Sequence, residues 1–218
     1  MDEHLQTVAA WSALETEVGR FRTWADSLPD DHASEWEPGY AGWRELRSAF
    51  DHFVGTTSCA QWTTEMVRTL LYAIARDTDT EHLARSLAQN PDNVLCVAEQ
   101  AVKLAERNAT YQLAAELGSL TQRTDEAEAL LLRFAHDDEE YVRRRALRAL
   151  ADLHSSHVPE LIDAAWNTGI EHARMAVLYA LRKTNSPHLA DYLAQAEADG
   201  RQYLVGYASK MRAGEPVE

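Results

Sequence analysis

A ten-residue segment recurs at a constant offset, and this internal repeat constrains the fold more than any other feature of the sequence. YVRRRALRAL, residues 141–150, aligns with HARMAVLYAL, residues 172–181. A second step of the same length reaches YLVGYASKM, which begins at Tyr203. Repeats with a period in the thirties, with two helices per unit and short turns, are typical of an α-solenoid, in which each unit buries its apolar face against its neighbours.

Helical patterns also precede these repeats. TTEMVRTLLYAIA, residues 63–75, places apolar residues three and four apart. VLCVAEQAVKLA, residues 94–105, aligns with the segment that starts at Val142, which is a longer offset than that between the later repeats. The longer offset leaves room for one more helix, predicted at residues 110–120. Because no segment of the sequence has the pattern of a strand, we predict an all-α fold. The expected architecture is an α-α superhelix, a right-handed solenoid of antiparallel helix pairs.

The N-terminal part of the chain, 1–62, differs from the rest. It holds five of the six tryptophans, Trp11, Trp24, Trp36, Trp43 and Trp62, and the acidic, aromatic loop SLPDDHASEWEPGYAGW. We predict a helical N-terminal cap at 1–62, since the ends of a solenoid need covering, with the loop as a possible contact surface. A repeat domain follows at 63–212 and a frayed tail at 213–218, and the whole is expected to form one continuous structural unit.

The repeated segment resembles a known family. DDEEYVRRRALRALADL, residues 137–153, has an acid, then Val-Arg, then Ala and Ala-Leu at helical spacing, and is similar to the second helix of a HEAT repeat; EHARMAVLYALRKT repeats the pattern. In that family the motif arginine commonly pairs with acids of adjoining repeats. The resemblance therefore implies a structural role for Arg143 and Arg174.

The tryptophan-rich acidic front, followed by LLYAIARDTDTEHLARSL and HEAT-like repeats, is also similar to bacterial HEAT-repeat immunity proteins of polymorphic toxin systems. That resemblance implies a protein that neutralises a cognate toxin. The formal net charge of −14 agrees with a basic protein partner, such as a basic toxin domain, and disfavours nucleic acid.

Composition also bears on location. Cys59 and Cys96 are too few for a disulfide framework, and the N-terminus lacks the positive flank and apolar stretch of a secretory signal. No apolar run reaches the roughly 20 residues of a membrane helix. We expect a cytoplasmic protein with reduced thiols and no membrane association.

A search for catalytic or metal-binding patterns finds none. HSSH, residues 154–157, lies between two helices with no third ligand nearby in sequence, and there is no phosphate-binding loop, G-x-S-x-G or HExxH. No cofactor or metal is expected, and the protein is predicted not to be an enzyme. Two alternatives stay open: a general assembly scaffold, and a HEAT-like nucleic-acid binder or DNA glycosylase-type enzyme that would use Trp166, Tyr179 and the arginines of residues 144–148.

Two surfaces are predicted to contact a partner. If helices alternate up and down, one edge of the stack collects the acids Asp77, Asp79, Asp137, Asp138, Glu139 and Glu140. The second surface is a groove that displays Arg144, Arg145, Arg148 and Tyr179. Simpler explanations are helix capping for the acids, and for the arginines the ion pairs Glu140 with Arg144 and Arg148 with Asp152.

Overall fold

The chain is described by a computed structural model over residues 3–28, 39–104 and 106–216. These residues form helices and no strand, which confirms the predicted all-α fold. Besides a short 3₁₀ helix, Cys59–Gln61, the α-helices are α1 Glu3–Ala25, α2 Trp43–Thr56, α3 Thr64–Ile74, α4 His82–Leu87, α5 Pro91–Leu104, α6 Arg107–Gly118, α7 Thr124–Phe134, α8 Glu140–Asp152, α9 Val158–Asn167, α10 Glu171–Lys183, α11 Leu189–Asp199 and α12 Gln202–Arg212. The additional helix predicted at 110–120 is α6. No helix in the described ranges has both the length and the apolar character needed to cross a bilayer.

The chain forms two compact units, residues 1–116 and 117–218. The predicted boundary between a cap and a repeat domain at residues 62 and 63, and their union in one continuous structure, stay predictions. In the first unit α1 packs on α2, α2 on α4, and both α3 and α4 on α5. The apolar faces expected from the sequence of α3 and α5 point into this core, where Leu70, Ile74 and Ala98 have no solvent exposure.

Tryptophans of the first unit pack into two aromatic clusters. Phe21 contacts the rings of Trp24 and Trp43 at centroid distances of 5.4 and 5.1 Å. Phe53 lies between Trp11 and Trp62, at 5.7 and 5.4 Å. These rings therefore form part of the core of the unit. Most of the predicted acidic aromatic loop, with Trp36, Pro29 and Pro38, lies outside the described residues.

The cysteines differ from expectation. Cys59, in the 3₁₀ helix, and Cys96, in α5, form a disulfide across a Cα–Cα distance of 6.4 Å, within the usual span of such bonds. The buried side chain of Asn93, in α5, also holds the 3₁₀ helix beside α5. Its Oδ1 accepts from Cys59 N–H at 2.8 Å, and its amide donates to the carbonyl oxygen of Val54 at 3.2 Å. The expectation of two reduced thiols is wrong because residues 37 apart in sequence meet here.

The second unit repeats with the period read from the sequence. α8, α10 and α12 begin at Glu140, Glu171 and Gln202, which are equally spaced along the chain, and they pack side by side. α7, α9 and α11 pack on α8, α10 and α12, so the helices lie in neighbouring pairs. Apolar spacing in the sequence predicts that one face of α8 is buried, formed by Val142, Ala146, Ala149, Leu150 and Leu153. The first four are buried, whereas Leu153 is half-buried.

The turns repeat as well. His154 and Asn185, which follow α8 and α10, have φ values of +54° and +52°, and Gly169 and Gly200, which follow α9 and α11, have +71° and +80°. Each left-handed residue reverses the chain and ends its helix. The tail is exposed but attached at one point, since the Glu215 carbonyl oxygen accepts from an Arg182 guanidinium N–H at 3.0 Å.

Candidate binding groove

The four arginines of α8 separate into two groups by the contacts they make. Arg143 turns back toward the start of the helix, where its Nη1 donates to the carbonyl oxygens of Asp137 and Asp138, both at 2.7 Å. It therefore stabilises the turn that precedes α8. Arg144, Arg145 and Arg148 lie together beside residues of α10 and α12, and Arg144 also lines a smaller cavity against α9 that it shares with Arg143.

These three arginines line a groove of about 280 Å³ on the second unit. Its lining consists of Tyr141, Arg144, Arg145 and Arg148 from α8, His172, Met175 and Ala176 from α10, and Tyr207 from α12. The lining includes no carboxylate, although the second unit contains sixteen acidic and twelve basic residues. The groove is thus a basic, aromatic patch on an acidic unit.

Tyrosine rings support the arginines. The guanidinium carbon of Arg144 lies 4.2 Å from the ring centroid of Tyr141, and that of Arg148 lies 4.3 Å from the ring of Tyr179. Arg145 Nη2 approaches the Tyr141 hydroxyl oxygen at 3.4 Å. Such stacking restrains a planar guanidinium while its edge can still donate hydrogen bonds.

Tyr179 is itself held by a small network. Its hydroxyl donates to Asp152 Oδ1 at 2.6 Å, and Lys183 Nζ lies 2.9 Å from the same oxygen. Burial, followed by the hydrogen bond to Asp152, raises the pKa of Tyr179 above its ordinary value, so the ring stays neutral and keeps donating. The alternative ion pair between Arg148 and Asp152 is wrong, because Asp152 is occupied by two side chains of α10.

The other alternative ion pair is formed, at long range. Arg144 Nε lies 3.7 Å from Glu140 Oε2, which is an ionic contact but too long for a hydrogen bond. Both side chains are 23% exposed, so the contact is partly shielded from solvent. Arg144 Nε is buried and has no hydrogen-bond acceptor among the described residues, so this ion pair satisfies the guanidinium only in part.

Arg174, which aligns with Arg143, links two successive repeats. It donates to Asp199, the last residue of α11, and its Nε donates to the carbonyl oxygen of Trp166 at 3.2 Å. Arg201 Nη2 donates to the same Asp199 at 2.7 Å, and its Nη1 donates to the carbonyl oxygen of Gly169 at 2.7 Å. The hydrogen bond from Arg201, with further help from Arg174, lowers the pKa of Asp199 to about 2.

A family comparison agrees with this repeated geometry. Residues 127–209 match the family model described as HEAT repeats. The match covers α8 to α11 entirely, with most of α7 and α12. No curated protein and no solved structure matches the chain significantly.

The groove lies on the second helix of each of three consecutive helix pairs. The predicted groove residues Arg144, Arg145 and Arg148 line it, and Tyr179 supports it from beneath Arg148. Sequence reasoning missed Tyr207, Met175 and the other residues that α10 and α12 contribute. The repeat period could have identified Tyr207, since it places this residue and Arg145 at equivalent positions of the first and third repeats.

The predicted acidic edge is largely occupied by internal contacts. The prediction that Asp77 contacts a partner is wrong. This residue has no solvent exposure, and its carboxylate forms an ion pair with Arg47, so it cannot meet a partner. Asp79, in the same turn, is exposed. These two acids belong to the first unit.

The remaining edge acids precede or begin α8 in the second unit. Asp137 Oδ1 accepts from the backbone N–H of Glu139 at 2.9 Å, which is a capping contact. Asp138 is exposed, while Glu139 and Glu140 are half-buried. Asp138 is therefore the most accessible acid of this group.

A second cavity, of about 640 Å³, lies at the opposite ends of α8 and α10. Two equivalent turns line it, 154–159 and 184–188, with apolar contacts from Ile162 and Leu181. Sequence analysis considered only the histidines of the first turn. His157 Nδ1 lies 3.4 Å from Glu160 Oε2, and over the described ranges no three His, Cys, Asp or Glu side chains converge as a metal site.

Proposed function

We propose that this chain is a non-enzymatic protein-binding module whose main contact surface is the groove on α8, α10 and α12. HEAT repeats commonly bind protein partners, and helical repeats present extended surfaces for this purpose. The observation that carries the proposal is the stacking of Arg144 on Tyr141 and of Arg148 on Tyr179 along one open groove.

The composition of the groove supports this role. Arginine and tyrosine are enriched among the residues that dominate binding energy at protein interfaces, and pre-ordered side chains lose less entropy on binding. Tyr141, which is 38% exposed, and Tyr203, which is 70% exposed, extend accessible aromatic surface along the starts of α8 and α12. Exposed aromatic side chains of this size are typical of contact surfaces.

A narrower proposal concerns the partner. The resemblance of the tryptophan-rich acidic front and the repeats that follow it to bacterial immunity proteins suggests a cytoplasmic protein that neutralises a toxin domain, and the net charge of −14 favours a basic one. Asp138 and Asp79 are the exposed acids that would steer such a domain toward the chain. This narrower proposal rests on resemblance and overall charge, not on the groove.

Co-purification with the product of the neighbouring gene tests the proposal. We expect a complex that R144A/R148A weakens about tenfold or more, since buried charged contacts at interfaces contribute several kcal/mol. The matched control is R133A, which removes an exposed arginine of α7 outside the groove and should leave binding unchanged. The proposal fails if no complex forms, or if the groove variant binds as tightly as the control.

A further inference from the structure

We infer that the groove binds an extended peptide segment of the partner in which acidic and apolar residues alternate. This inference rests on the proposed function and specifies the chemistry of the ligand. Its starting point is the reversal of charge: three arginines and no carboxylate line the groove of a unit in which acids outnumber bases. Carboxylates are the groups in proteins that complement such a patch.

The two acids nearest to Arg148 and Arg144 do not satisfy these arginines. Asp152 already accepts from Tyr179 and contacts Lys183, and Glu140 reaches Arg144 only at 3.7 Å. Arg148 contacts the Tyr179 ring and, among the described residues, pairs with no carboxylate. Its guanidinium is therefore positioned by an uncharged ring and can donate two parallel hydrogen bonds to an incoming carboxylate.

Helix geometry sets the spacing of the ligand. Arg144 and Arg148 are one turn apart on α8, a rise of about 6 Å at roughly 1.5 Å per residue. In an extended chain, side chains on the same face recur every second residue, about 6.6 Å apart. A segment that runs parallel to α8 can therefore present two carboxylates at alternate positions to these two arginines.

The side of the groove opposite α8 determines which residues of the ligand fit between its two acids. Alternate side chains of an extended segment point in opposite directions, so those between the acids face away from α8. His172, Met175 and Ala176 of α10 and Tyr207 of α12 line that side, and no arginine or lysine is among them. The groove thus favours acid–apolar–acid over a uniformly acidic segment.

An acidic peptide fits these observations better than a nucleic acid. Single-stranded nucleic acid gains affinity chiefly by neutralising many phosphates, with a salt slope of about −0.7 per contact, and three arginines offer few such contacts. A phosphate chain that extends beyond the groove would also be repelled by the remaining charges of a protein with a net charge of −14. A short peptide needs only the local groove.

Fluorescence anisotropy with the full chain tests this inference. The probe is a short fluorescein-labelled peptide in which glutamate alternates with alanine or leucine. It is compared with the same peptide carrying glutamine at the acidic positions and with a short single-stranded oligothymidylate. We expect the glutamate peptide to bind about tenfold or more tightly than the glutamine peptide, because charge-assisted hydrogen bonds are lost in the latter. Binding should weaken as sodium chloride is raised.

Variants connect the binding to the groove. R148A should weaken the glutamate peptide about tenfold, R148K should fall in between because it keeps the charge without the planar fork, and R133A should bind as the wild type. Circular dichroism melts confirm that each variant is folded. Equal binding of the glutamate and glutamine peptides, tighter binding of the oligonucleotide, or full binding by R148A would each overturn the inference.

The two proposals fail separately. If R144A/R148A loses the gene-neighbour partner while no glutamate peptide binds the wild type, the acidic ligand is wrong and the protein-binding groove stands. If the peptide binds through Arg148 but no protein partner is affected by the variants, the groove chemistry stands and the proposed function fails.

Discussion

Replacing Asp77 tests whether an acid of the predicted edge has a binding role or a structural one. Its carboxylate, which has no solvent exposure, accepts from Arg47 Nη2 at 2.6 Å, from Thr80 Oγ1 at 2.9 Å and from the backbone N–H of Leu83 at 2.8 Å. These contacts tie the turn after α3 to the first turn of α4 and to α2. We predict that Asp77→Ala destabilises the first unit without any direct effect on partner binding.

The magnitude follows from the lost contacts. Alanine leaves the buried N–H of Leu83 without this acceptor and removes the carboxylate that faces Arg47, which is only 25% exposed. Breaking a buried ion pair by removing one partner costs about 3–5 kcal/mol. Asp77→Asn keeps one acceptor oxygen and should cost about 2 kcal/mol, within the range for hydrogen bonds to charged groups.

Urea unfolding followed by tryptophan fluorescence measures this loss in the relevant unit. Five of the six tryptophans lie within 1–62, and W166F removes the sixth, so the signal reports the first unit. At a typical slope of about 2 kcal/mol/M, Asp77→Ala should lower the midpoint by about 2 M. Asp26→Ala is the matched control, because Asp26 is exposed and should change stability by less than about 0.5 kcal/mol.

A double-mutant cycle with Arg47→Ala identifies the cause. If the ion pair is responsible, Asp77→Ala should cost less in the Arg47→Ala background than in the wild type. The structural assignment is refuted if Asp77→Ala unfolds at the same urea concentration as Asp26→Ala. It is also refuted if the variant is fully stable and yet loses a partner.

Two further predictions concern a cross-link and a titrating group. The disulfide between Cys59 and Cys96 joins residues with a sequence separation of 37, so the chain-entropy relation predicts that C59S/C96S lowers the free energy of unfolding by about 4 kcal/mol. Dithiothreitol should destabilise the wild type but not this variant. Equal unfolding midpoints of the wild type with and without reductant would contradict the cross-link. Asp199, with its pKa lowered to about 2 from 3.8 mainly by the hydrogen bond from Arg201, should stabilise the folded state above about pH 4, and this contribution should be lost as the pH falls toward 2. Circular dichroism should show a flatter loss of stability over that range in D199N, and an unchanged pH profile would be inconsistent with the pairing.

The repeat period was readable from sequence because packing between equivalent helices requires it. The alignment of residues 141–150 with 172–181 predicted two equivalent helices, which in the structure begin at Glu140 and Glu171, and the buried positions of α8 followed from apolar spacing alone. Helical periodicity depends on neighbours three and four residues away, which a single sequence displays directly. The fold class was therefore within reach of the sequence.

Long-range contacts of charged residues were not readable in the same way. Asp77 and Asp79 are acids of one turn, yet one is buried and the other exposed, because Arg47 approaches from α2, thirty positions earlier. A local reading assigned both to the surface. The same limit applied to Cys59 and Cys96, whose sequence spacing gives no indication that a buried asparagine places the 3₁₀ helix beside α5.

The alternative contact of Arg148 shows what information was missing. Pairing of residues four positions apart on a helix surface predicts an ion pair between Arg148 and Asp152. In the structure, however, Arg148 stacks on Tyr179 and Asp152 contacts Lys183. Each observed partner lies one full repeat further along the chain than the residue it contacts. In stacked repeats, the residue at the equivalent position of the next unit can lie as near as the residue one turn away.

Comparing equivalent positions of successive repeats also helps to separate positions that packing requires from positions that it does not. The equivalent residues Val142, Ala173 and Leu204 are all buried and apolar, as the shared core requires. The equivalent residues Arg148, Tyr179 and Lys210 differ in charge and shape, although the backbone around them repeats. The fold alone asks for no arginine followed by tyrosine at that position, so Arg148 of the proposed groove is among the positions that packing leaves free to differ between repeats.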